Sequence, residues 1–158
     1  MNIRYRNIPD FTRPEGFSRM PLLQVSLKHG LQVRPFLALV DWGAVDCIFP
    51  ESLGAVLGID VSNGQPRNFY GIANQEANGF MHLVQLQVTG FNHWIDIEVG
   101  FVVGGDVPPL LGQSGFFDHY QVVFERFRRT FEVNTKTDAL IRNQRGHGRG
   151  RRRQGNKR

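Results

Sequence analysis

A mostly β fold is predicted by two features of the sequence: apolar residues that fall in short alternating runs, and a composition with thirteen Phe and eighteen Gly, which favours strands and tight turns over long helices. At 158 residues and 41% hydrophobic content the chain suits one domain with one core. Three segments are expected: an N-terminal arm over 1–20, a folded domain over 21–135, and a disordered basic tail over 136–158 rich in Arg and Gly.

The arm holds Pro9, Pro14 and Gly16 among scattered charges, so it is expected to lie along the surface or to reach a neighbour. From Leu22 to Leu27 the alternation is that of a strand. His29-Gly30 makes a turn, and Arg34 to Val40 runs as an increasingly buried strand ending on Asp41. Trp42 to Asp46 is a tight turn, and Cys47-Ile48-Phe49 returns as a short apolar strand. Pro50 then opens a short helix that Gly58 closes. Two strands, Arg67 to Ala73 and Phe80 to Val88, are joined by the polar run 74–79 in a projecting hairpin. Ile95, Ile97, Val99 and Phe101 share one face of the next strand, with Asp96 and Glu98 on the other, which predicts a half-exposed strand. Leu110-Leu111-Gly112, a helical turn over 115–119, and a closing hairpin of Val122 to Phe124 with Thr130 to Val133 complete the domain.

Charge and cysteine content narrow the function. Eight of the nineteen Lys and Arg residues lie from Arg142 to Arg158, where there is no Asp or Glu. The first 141 residues therefore carry eleven basic against fourteen acidic side chains, a formal −3, and any nucleic-acid or polyanion contact is expected of the tail. The lone Cys47 cannot form an internal disulfide, the charged N-terminus lacks the apolar stretch of a signal peptide, and no run reaches the ~20 apolar residues of a membrane helix. A cytoplasmic protein with no membrane contact is expected. No histidine spacing suggests a metal site, and no cofactor is expected.

Residues 37–50, LALVDWGAVDCIFP, are similar to the active-site segment of retropepsin-like aspartic proteases, in which an apolar strand leads into Asp-Thr-Gly-Ala. Asp41, Gly43 and Ala44 match. Phe69-Tyr70-Gly71-Ile72 resembles the start of that family's flap, Pro109-Leu110-Leu111-Gly112 the segment beneath its catalytic loop, and Glu125-Arg126-Phe127 with Thr130-Phe131 the closing hairpin of bacterial members. The order is kept over roughly residues 22 to 133, which makes the pattern far more specific than a single Asp-x-Gly. The resemblance implies a closed β-barrel with one or two short helices, acting as a homodimer on a protein or peptide. It implies Asp41 as the catalytic acid, an active-site loop of Trp42, Gly43 and Ala44, a flap of Gly71, Ile72, Ala73 and Asn74, and Leu110, Leu111 and Gly112 beneath the site.

Aspartic proteolysis needs two close carboxylates that share a proton, one acting as base on water and the other as acid. Only Asp41 here follows an apolar strand and precedes a glycine turn, so the resemblance implies that a two-fold homodimer supplies the second. At one position the pattern breaks: Trp42 stands where the family has a Thr or Ser that hydrogen-bonds across the dimer axis. Its bulk is expected to cost about 1–3 kcal/mol of overpacking per site. Two other readings stand beside the endopeptidase: a catalytically silent peptide-binding or interaction module, and RNA or polyanion binding by the tail.

Overall fold

The computed structural model describes residues 1–71, 75–105 and 107–141. The first twenty residues fold onto their own chain. Strand β1 (Asn2–Arg4) pairs antiparallel with the last strand, and β2 (Arg6–Pro9) and β3 (Phe17–Met20) form a separate hairpin. The expected arm is thus largely built into the domain, because alternate side chains such as Ile3 and Tyr5 reach the core.

β4 (Leu22–His29) and β5 (Gln32–Val40) form the first long hairpin, with Leu23, Val25 and Leu27 buried on one face. After the 41–46 loop come β6 (Cys47–Pro50) and α1 (Glu51–Val56), with extended Pro50 at the helix start and Gly58 in the left-handed region just past its end. β7 (Gln65–Tyr70) and β8 (Glu76–Val88) form the projecting hairpin, followed by β9 (Ile95–Val102), the two-residue β10 (Leu110–Leu111), β11 (Tyr120–Glu125) and β12 (Thr130–Thr135).

Two sheets organise the molecule. In the larger, the order β4-β5-β10-β6-β9-β8 closes on itself because the far half of β8 also pairs with β4, with Val25 opposite Val88. The result is a closed barrel of six strands, with β7 carried outside the ring on β8. The smaller sheet, β1-β12-β11, packs Phe131 and Val133 into the same core as Phe49, Phe101, Leu111 and Phe116. Burying side chains of this size contributes about 1.5–3 kcal/mol each.

Three expectations need correction. Within the run 74–79, residues Glu76 to Gly79 are strand and not loop: Glu76 faces Tyr70 and Asn78 faces Asn68 in the β7–β8 ladder, and beyond it the Gly71 N–H donates to the Gln75 carbonyl at 2.8 Å. A ladder is made of backbone bonds, so polar side chains do not end it where both faces meet water. β9 is half-exposed only at its start, because Phe69 from β7 lies over Gly100 and covers the outer face as far as Val102. Residues 136–141, expected as the start of the tail, are helical. The cause is local: the Thr135 hydroxyl oxygen accepts the Asp138 N–H at 3.2 Å, as a helix cap does. The rest of the basic tail, 142–158, lies outside the described residues.

Candidate active site

Asp41 is carried by β5 out of the barrel and into the 41–46 loop. β10 lies between β5 and β6, parallel to the first (Leu111 beside Val40) and antiparallel to the second (Leu110 beside Ile48), so the loop must pass over its end. The backbone of 111–114 then holds that loop from below. Leu111 accepts the Asp41 N–H at 3.1 Å, the Gln113 N–H donates to Ala44 at 2.9 Å, and the Ser114 N–H donates to Val45 at 2.7 Å. Gly112 makes the fit possible, since a Cβ there would come within 2.2 Å of the Asp46 carbonyl oxygen.

The Asp41 carboxylate is half-buried and accepts the Gly43 N–H at 2.9 Å. A hydrogen bond to the charged form holds the carboxylate in the turn. A Cβ on Gly43 would lie 3.2 Å from the same oxygen, which gives that glycine a local reason. Ala44 is half-buried over the Gln113 N–H. Leu110 and Leu111 sit beneath the loop, with Leu111 wholly buried in the core.

Trp42 does not crowd its own chain. Its ring is 63% exposed and turns aside to meet Phe117 edge-on, with centroids 4.9 Å apart, while its carbonyl accepts the Gln113 side-chain amide at 2.9 Å. Within one chain the indole therefore overpacks nothing. It borders a groove of about 500 Å³ whose other walls include Tyr120, Val122 and Leu140.

Of the flap residues, Gly71 stands at the end of β7, whereas Ile72, Ala73 and Asn74 lie outside the described residues. Gly79 is not part of the hairpin tip. It sits inside β8, where a Cβ would press on the Phe101 carbonyl at 2.4 Å.

One contact escaped the sequence reading. Asp46 is 7% exposed, and its carboxylate meets the Arg67 guanidinium at 3.2 Å. This ion pair ties the inner end of the 41–46 loop to the first strand of the projecting hairpin. The two residues are far apart in sequence, and only the strand order brings them together. Cys47, next to Asp46, is wholly buried, and burial pushes its thiol up to about 11, so it stays protonated at neutral pH.

No protein-family model matches the sequence, and no curated protein matches it. The fold does have a counterpart among solved structures. A retropepsin-like aspartic protease from Rickettsia conorii superposes with a TM-score of 0.56 at 17% identity, over 85% of this chain and 91% of that one. The chain has the retropepsin-like fold.

Proposed function

We propose that this protein is an aspartic endopeptidase whose site is completed by a second copy of the chain, each subunit contributing one Asp41. The observation that carries the reading is the presentation of Asp41: a half-buried carboxylate at the mouth of a retropepsin-like barrel, held by the Gly43 N–H over a backbone platform at 111–114. Two such carboxylates brought together share a proton, so one draws a proton from a water while the other donates one to the peptide carbonyl oxygen. The water attacks the carbonyl carbon; the dyad then gives its proton to the nitrogen and takes one from a hydroxyl of the tetrahedral adduct, whose collapse breaks the C–N bond and releases amine and acid. In this reading the β7–β8 hairpin, which Arg67 and Asp46 tie to the loop, covers an extended peptide. With one buried, protonated thiol, the chain suits a reducing, cytoplasmic setting.

A second reading is favoured by Trp42. The indole has no hydroxyl to bond across a two-fold axis, and a dimer that kept the groove but misplaced the carboxylates would bind peptides without cutting them. Cleavage of an unfolded protein at mildly acidic pH by the purified chain, Asp41→Asn and Trp42→Thr separates the readings. Cutting by the native chain that Asp41→Asn abolishes supports the endopeptidase. Cutting by Trp42→Thr alone assigns a silenced protease, and no cutting by any of the three favours the binding module. The Arg and Gly composition of 142–158 supports a further, weak polyanion contact by the tail.

A further inference from the structure

The formal charge of −3 over residues 1–141 hides a strong separation. Segments 1–20 and 120–135 together hold seven of the eleven basic residues and four of the fourteen acidic ones, a formal +3, which leaves −6 for the remainder of 1–141. The fold brings these two segments together. The Tyr5 N–H donates to the Arg129 carbonyl at 2.9 Å, the Arg126 side chain donates to the Arg19 carbonyl at 3.1 Å, and its guanidinium lies 5.2 Å from the Tyr5 ring centre. Tyr5 turns inward against Phe131, so Arg4 and Arg6 on either side of it point outward.

Asp10 is engaged by Arg13 at 3.1 Å, and Glu125 by Arg128 at 3.4 Å. Among the described residues, Arg4, Arg6, Arg19, Arg126 and Arg129 have no carboxylate within ion-pair distance. Two aromatic rings have no core to fill: Phe127, between Arg126 and Arg128 on the β11–β12 turn, is 80% exposed, and Phe11, at the tip of the β2–β3 hairpin, is 93% exposed. Arg19 and Arg128 lie over the rings of Phe17 and Phe127.

We propose that this face binds single-stranded nucleic acid, the unpaired arginines taking phosphates and the exposed rings, above all Phe127, stacking on bases. Guanidinium groups interleaved with free aromatic faces match a strand that alternates charge with flat apolar surface. An acidic peptide would use the charges and leave the rings idle.

The test uses the full chain with Lys157 and every arginine from Arg142 to Arg158 changed to Gln, so that the tail cannot supply the signal. Binding of a fluorescent oligo(U) of about 20 nucleotides is followed by anisotropy from about 50 to 200 mM salt. The tail-neutralised chain is expected to bind. Adding Arg6→Gln, Arg19→Gln and Arg129→Gln should weaken it at least about tenfold and flatten the log–log salt slope by about 2, near 0.7 per lost phosphate contact. Phe127→Ala, on an exposed turn that the fold does not need, should weaken it about fivefold or more. Thermal melts confirm that each variant is folded. Absence of oligo(U) binding by the tail-neutralised chain, or equal binding by the triple variant, overturns the proposal. So does binding of anionic lipid vesicles without oligo(U) binding, or equal binding of poly-glutamate with no effect of Phe127→Ala.

Discussion

The two halves of the 41–46 loop are held very differently. The inner half, Ala44 to Asp46, is fixed by two backbone bonds from Gln113 and Ser114, by the closeness of Gly112 and by the buried carboxylate of Asp46 on Arg67. The outer half, Asp41 to Gly43, presents a carboxylate held by the Gly43 N–H and an indole mostly in water. The inner half is therefore fixed by buried groups, whereas the outer half is held through its backbone, by Leu111 at Asp41 and Gln113 at Trp42, and leaves its side chains largely open to water. A bulky residue at position 42 leaves the barrel intact for that reason, although the same bulk at position 112 has nowhere to go.

Four substitutions test this division, from the largest effect to the smallest. Asp41→Asn should lower cleavage of an unfolded protein by about a thousandfold or more while leaving the circular dichroism spectrum and the thermal midpoint nearly unchanged. Loss of fold in that variant would show that the outer half is structural after all. Gly112→Ala should cost about 3 kcal/mol in urea unfolding, since the loop carbonyls must move to admit the methyl group. A cost under ~1 kcal/mol would mean that the inner half is not rigid. Arg67→Met leaves the mostly buried Asp46 carboxylate without its cation, and a loss of about 1–2 kcal/mol is expected, because Arg67 itself is half in water and solvent screens part of the pair. Trp42→Thr should change unfolding free energy by less than about 0.5 kcal/mol, as for other exposed sites. A large change there would contradict the placement of the indole outside the core.

Much of this was legible in the sequence because short-range pattern carried it. Alternation marked β4, β5 and β9, Pro50 and Gly58 bracketed the helix, and Asp41 at the end of an apolar strand marked the loop. What escaped depended on contacts made at long range or on backbone alone. The polar residues Glu76 to Asn78 read as a loop because a two-stranded ribbon in water needs no apolar face to keep its hydrogen bonds. The Asp46–Arg67 pair and the covering of Gly100 by Phe69 both depend on β7 folding back across the barrel, which no local spacing announces. The cap at Thr135 did have a signal, Thr-Lys-Thr-Asp, overshadowed by the charge of the residues that follow. Size alone predicted crowding by Trp42, but size does not reveal a rotamer that leads the ring out toward Phe117.

The two-residue strand β10 sets an order of assembly. Asp41 and its loop are made early, yet the groups that fix them, the Leu111 carbonyl and the Gln113 and Ser114 amides, lie some seventy residues later in the chain. A chain emerging during synthesis cannot seat its carboxylate until that keystone has arrived and slipped between β5 and β6. Contacts of such long sequence separation form late and slowly. The growing polypeptide thus carries the Asp41 side chain unseated until those later residues have been made.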